Sequence, residues 1–217
     1  MSDAPAINEP GTHSYPARLD VEYPEGGLGR ATTIFRIILV IPIAIVVGLL
    51  SNYFVGNWQS NDSGWPELFA AITLFGPTLL MLLFRQKYPR WWFDWNLELS
   101  RFTARVIAYL SLMRDEYPST DEQQAVRLDL DYPDARELNR WLPLVKWILA
   151  IPHYLVLAVL GVAAIVCVVI AWFAIIFTGR YPRGLFEFVL GVNRWGLRVS
   201  AYMWLLITDK YPPFSLK

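Results

Sequence analysis

Long uncharged apolar runs alternate along this chain with segments that carry its charge. Residues 37–55 form a run of 19 residues without a formal charge, 68–84 a run of 17, and 147–179 a run of 33. The first two match the length of membrane-spanning helices, with Gly76-Pro77 predicting a kink in the second. As one helix, the third run would be roughly 50 Å long against a hydrocarbon core of about 30 Å. It is therefore read as a hairpin with arms at about 141–160 and 162–179, turning near Gly161. Elsewhere the period changes. Residues 18–23 and 127–132 alternate polar and apolar, the signature of half-buried strands. Residues 91–113 and 185–207 are bounded by Tyr-Pro-Arg and Tyr-Pro, and read as helices.

These elements occur twice in the same order. Arg18-Leu19-Asp20-Val21-Glu22-Tyr23-Pro24 returns as Arg127-Leu128-Asp129-Leu130-Asp131-Tyr132-Pro133, and Tyr88-Pro89-Arg90 returns as Tyr181-Pro182-Arg183. The offset falls from 109 at Arg18 (127−18) to 93 at Tyr88 (181−88), which matches a missing polar linker in the second copy. The reading is a disordered tail over 1–14, one copy over 15–118 and a second over 119–217. The first contains a strand, a hairpin of about 34–55 and 67–84, and a helix over 91–113. The second contains a strand at 126–132, the 141–160/162–179 hairpin and a helix over 184–207. The expected fold is membrane α-helical: an internally duplicated four-span bundle of two hairpins, two interfacial amphipathic helices and a small cytoplasmic β-sheet. Residues 213–216 are a candidate third strand. Two other readings of the Tyr-Pro-Arg helices, as further spans or as soluble helices, stay open.

Composition supports a membrane assignment: 55% of residues are hydrophobic and only 18% charged, too apolar for an ordinary soluble domain. Net charge is zero, so nothing global points to nucleic acid. All 19 basic residues fall outside the two hairpin loops, and the positive-inside rule then places both termini in the cytoplasm. Arg36, at the edge of the first span, is expected to snorkel to the headgroups. Seven Tyr-Pro dipeptides punctuate the chain as corners, since proline halts the preceding element; their rings suit the headgroup level.

Candidate chemistry is sparse. Asp94, Glu98, Arg101 and Arg105 form one stripe on the first amphipathic helix; Glu187, Gly191, Arg194 and Arg198 occupy the matching places on the second. Arg101, Arg105, Arg194 and Arg198 are candidate lipid- or partner-binding residues, weighed against internal pairing with Asp94, Glu98 or the strand acids. Asp20, Glu22, Asp129 and Asp131 would offer a divalent cation hard oxygens on one sheet face, but a solvated strand face, or cross-strand pairs with Arg18 and Arg127, is favoured. His153 follows Pro152 without a counterpart in the first copy, and reads as a hydrogen-bonded packing residue; Cys167 reads as inert packing. No catalytic residue, cofactor site or metal site is assigned.

The strand motif Leu-Asp-Val-Glu-Tyr-Pro, the Ile-Pro early in each copy, the Tyr-Pro-Arg and the aromatic-rich helix after it resemble a prokaryotic membrane family described only as domain of unknown function 4389, in two tandem copies from Tyr15 to Lys217. The resemblance implies an integral membrane protein and supplies no activity. The expected function is non-enzymatic: a multi-pass accessory or scaffold subunit of the inner membrane that docks protein partners or organises lipid at the cytoplasmic face. An oligomeric channel or transporter is the alternative, and a membrane enzyme the third reading. Expected partners are membrane lipids, anionic ones among them, and a protein partner or a second copy of the chain; nucleic acid is not expected.

Overall fold

The computed structural model describes residues 15–30, 32–36, 39, 41–42, 79–120, 122 and 124–217. Its main elements in chain order are β1 (Ala17–Val21), α1 (Arg90–Leu110), β2 (Val126–Leu130), α2 (Leu142–Thr178) and α3 (Arg183–Met203). The strands pair antiparallel, Leu19 opposite Leu128 and Asp20 opposite Arg127. Strand alternation buries Ala17, Val21, Val126, Leu128 and Leu130 and leaves Arg18, Asp20, Arg127 and Asp129 exposed. The buried face packs on two helices. α1 covers β2, whereas α3 covers β1. α1 thus packs on the strand that follows it in the chain, whereas α3 and its strand β1 lie far apart in sequence. Pro89 and Pro182 occupy the two N-caps in extended geometry, where a missing N–H costs nothing and the fixed φ aims the chain into the helix.

The third apolar run is not a hairpin. α2 is a single continuous helix of 37 residues, about 55 Å long. Gly161 lies inside it, and a Cβ there would meet nothing within 4 Å; an isolated glycine weakens a helix without breaking it. Pro152 is also within the helix. The chain turns only at Gly179, whose φ of 74° suits glycine and whose N–H bonds the Ile175 carbonyl at 2.7 Å, a left-handed C-cap. Among the described residues α2 is the one helix long and apolar enough to cross a membrane. The expected four-span duplicated bundle is thereby corrected: its second hairpin does not exist. Most of the span over 37–55, all but residues 39, 41 and 42, and most of that over 68–84, with Gly76-Pro77, lie outside the described residues, as does the tail over 1–14.

α2 meets the rest of the protein along one stripe. Lys146, Ala150 and His153 are buried near its start, and Ala171 and Ile175 near its end. Between them Ala164, Cys167 and Val168 are half-buried against the core. The other side of the helix presents Leu155, Val159, Val162, Val166, Val169 and Phe173 outward. Residues 213–216 form no strand. They are coil that lies over α3 at Gly191, where a Cβ would come within 2.6 Å of the Leu216 carbonyl oxygen.

Candidate functional site

The arginine stripes face the sheet. Arg194 on α3 donates through Nε to the Leu19 carbonyl at 2.8 Å and through Nη2 to Asp20 at 2.8 Å. Arg101 on α1 donates through Nε to the Leu128 carbonyl at 3.0 Å and through Nη2 to Asp129 at 3.0 Å, with Glu98 at 2.7 Å on Nη1. Leu19 and Leu128 face each other across the ladder. Their bonded carbonyls point to opposite outer edges of the two-stranded sheet, and each edge is capped by one guanidinium. An open strand edge is a template for unwanted pairing, and these arginines occupy it. The planar fork of arginine suits a carbonyl and a carboxylate at once. Burial lowers the Arg101 pKa, but the hydrogen bonds to Asp129 and Glu98 outweigh it, so the net direction is up.

The second arginine of each stripe holds loop carbonyls. Arg105 donates to Ser119 at 2.6 Å, with its Nε buried and without a partner among the described residues. Arg198 donates to Ser215 at 3.2 Å and to the Lys217 carbonyl; burial first, then neighbouring Arg194, lowers its pKa. Beside Arg101 and Arg105 lies an open cleft that also holds Glu22, Glu98, Glu116, Glu122 and Asp129. This mixture of charge gives no net preference for an anion. Of the other stripe positions, the exposed Asp94 and Glu187 take no part in the described ion pairs.

The strand acids are distributed among cations. Asp131 pairs with Arg18 at 2.6 Å, Asp129 with Arg101 and Asp20 with Arg194. Among the described residues no group of three or more His, Cys, Asp or Glu side chains converges as a metal site would require. His153 is fully buried: its Nδ1 accepts from Trp195 Nε1 at 3.1 Å, and its ring stacks on Phe214 at 4.1 Å. Its Nε2 has no hydrogen-bond partner among the described residues.

Two buried cations were not legible as such. Arg36 does not snorkel: it is 3% exposed, pairs with Asp115, donates to the Tyr109 carbonyl at 2.8 Å and lies over the Tyr109 ring at 4.4 Å. Burial pushes its pKa down, and Asp115 pulls it back. Lys146 is 1% exposed, pairs with Asp209 at 2.7 Å, donates to the Thr208 carbonyl at 2.7 Å and lies over the Tyr202 ring at 4.9 Å. The partners are 62 to 79 residues away in sequence, so no local pattern announces them. The available signal was the repeat, since Lys146 follows Arg36 by 110 (146−36) and Tyr202 follows Tyr109 by 93 (202−109).

The Tyr-Pro corners are also tied inward. Tyr23 Oη donates to the Tyr181 carbonyl, and Tyr132 Oη to the Tyr88 carbonyl at 2.6 Å. Tyr23 meets Phe186 edge-on at 5.1 Å, as Tyr132 meets Phe93 at 5.1 Å. Arg183 lies over Tyr23 and Arg90 over Tyr132. Tyr88 and Tyr181 are buried, not headgroup-level rings, and burial raises both phenol pKa values.

Residues 141–215, which hold α2, α3 and most of the segment after them, match the model of a family described as Domain of unknown function (DUF4389). The match covers one copy of the unit, not the two expected from Tyr15 to Lys217. No curated protein matches the chain. No solved structure matches it.

Proposed function

We propose that this chain is a membrane-embedded, non-enzymatic scaffold subunit that organises lipid and docks a protein partner at the cytoplasmic face of the inner membrane. The observation that carries the reading is the outward side of α2. Leu155, Val159, Val162 and Ile165 are each 65–70% exposed, and the helix is apolar on all sides, a pattern of segments surrounded by protein or lipid. Contiguous exposed apolar surface on this scale is not sustained in water. The charged groups support a structural rather than a chemical role, because stripe arginines and strand acids are engaged with one another. The matched clamps on the two sheet edges support a tandem strand–helix unit whose copies exchange strands. The basic residues around the sheet support its placement, with both termini, in the cytoplasm.

The test is fractionation of the full chain. It should stay with membranes through an alkaline carbonate wash and float with liposomes after reconstitution. Release into the soluble fraction as a monodisperse species without detergent would overturn the membrane reading. For orientation, Glu122→Cys in a Cys167→Ala background should resist an impermeant thiol reagent in intact cells and react in inverted vesicles. Reaction in intact cells would overturn the cytoplasmic placement.

A further inference from the structure

We propose that the groove between α1 and α3 is a binding site for one acyl chain of a bilayer phospholipid. The inference rests on the membrane reading above and gives it a specific site. The groove has a volume of about 720 Å³, within the range of roughly 300–1,000 Å³ typical of pockets that enclose a ligand. Its floor is the apolar face of the sheet, Leu19, Val21 and Leu128. One wall is α1, from Leu99 to Ile107, and the other is α3 around Gly196.

Three observations select the occupant. First, among the described residues no Asp, Glu, Lys, Arg or His lines the groove. Several of its polar groups are already engaged: Asn96 Nδ2 donates to the Trp92 carbonyl, Thr103 Oγ1 to the Leu99 carbonyl, and Trp204 Nε1 to Tyr154 Oη. A peptide backbone or a nucleotide would have to bury its own polar groups there with little to bond; an alkyl chain has none. Second, the groove is continuous with the surface assigned to the bilayer. Tyr154, Leu157 and Ala158 of α2 line it, while Leu155 and Val159, their neighbours on that helix, point outward. The groove and the outward apolar face thus meet on one helix, α2. Third, the groove is open where α3 carries a glycine. A Cβ at Gly196 would meet nothing within 4 Å, so space is left there by the absence of a side chain, not by a packing fault.

That glycine also provides the test. Gly196→Leu projects a side chain into open space and raises helix propensity, so it should block the groove and leave the fold intact. Gly184→Leu is the control. It lies on the same helix, a Cβ there also meets nothing within 4 Å, and it does not line the groove. The full chain is reconstituted in phosphatidylcholine vesicles that contain a phospholipid with a photoactivatable diazirine midway along one acyl chain, and adducts are mapped by peptide mass spectrometry. Wild type and Gly184→Leu should label both the groove, at Leu99, Ile107 and Leu197, and the outward side of α2, at Val159 and Val162. Gly196→Leu should reduce groove adducts about tenfold, or roughly 1.4 kcal/mol in occupancy, without changing those on α2. Labelling of α2 with none in the wild-type groove would overturn this site and leave the membrane reading standing. Groove labelling unchanged by Gly196→Leu would also overturn it. Absence of adducts at both places, together with failure to float, would overturn the membrane reading and this site with it.

Discussion

At the end of α1 the Arg36 guanidinium lies over the Tyr109 ring, donates to the Tyr109 carbonyl and pairs with Asp115. At the end of α3 the Lys146 ammonium lies over the Tyr202 ring, donates to the Thr208 carbonyl and pairs with Asp209. The settings match and the cations do not. What the position requires is a buried positive charge near the carbonyl-rich end of a helix, with one carboxylate to neutralise it. The difference lies in how the charge is satisfied. Arginine spreads its charge over a rigid fork, whereas lysine presents a compact point charge that depends more on each single partner.

The strongest way to break this equivalence is to remove the carboxylates. Asp209→Ala leaves Lys146 buried without its counter-ion and should cost about 3–5 kcal/mol, the range for an orphaned buried charge. Asp115→Ala should cost less: both cations keep a carbonyl and an aromatic face, but the Arg36 guanidinium spreads its charge and is more weakly hydrated than the Lys146 ammonium. Thermal unfolding of both variants in detergent measures the order; an equal loss would show that the identity of the cation is immaterial. Next come the edge clamps. Arg101→Gln and Arg194→Gln each remove a charge-assisted bond to a strand carbonyl and a half-exposed ion pair, and each should lose about 1–3 kcal/mol. The two losses should agree within about 0.5 kcal/mol if the clamps are equivalent, since surface pairs such as Glu98 add little. A much larger loss at Arg194 alone would single out β1 as the weaker edge.

Smaller still are the tyrosine ties. Tyr132→Phe and Tyr23→Phe should each cost about 1 kcal/mol, one ordinary hydrogen bond, read by the same unfolding assay. The smallest effect concerns Glu116, which has no counterpart at the end of α3. Its hydrogen bond from Arg114 holds its carboxyl below the usual carboxylate range, helped by the Ala125 N–H, while burial opposes. A depressed folded-state pKa contributes stability that is present above the unfolded value near 4.3 and fades as pH falls through the folded value. Glu116→Gln should therefore flatten the acid side of the stability profile by less than about 1 kcal/mol, given its exposure. An acid limb as steep as in wild type would remove Glu116 from the account.

The sequence was most informative where period and punctuation agree. Strand alternation at Arg18–Tyr23 and Arg127–Tyr132 places Ala17–Val21 and Val126–Leu130 to within two residues, and Tyr-Pro-Arg marks both helix starts, with Pro89 and Pro182 at the N-caps. It was least informative where one residue type serves two purposes. A helix of 33 or more residues looks too long for a bilayer and so suggests a turn at Gly161, yet a glycine with open space around it is compatible with a continuous helix. Membrane thickness constrains only residues that cross it, and both ends of α2 are held by the protein itself through Lys146 and Ile175. The guanidinium directions were beyond reach for another reason. A stripe at helical spacing shows that Arg101 and Arg105 share a face, not whether that face looks at lipid or at a strand edge.

The exchange of strands between helices has a consequence for synthesis. β1 is the first of these elements to leave the ribosome, and its partner Arg194 lies 175 residues later. At a translation rate of about 5–20 residues per second, that interval lasts roughly 9–35 s. During that time Val21 and the carbonyl edge of β1 have no α3 to cover them, and β2 itself begins 105 residues after β1 ends (126−21). α1, by contrast, waits only 27 residues for the Leu128 carbonyl that Arg101 holds. The α1–β2 half can therefore consolidate early, while the outer edge of β1 stays exposed to proteases, to chaperones and to the β1 of a neighbouring nascent chain until α3 has been made.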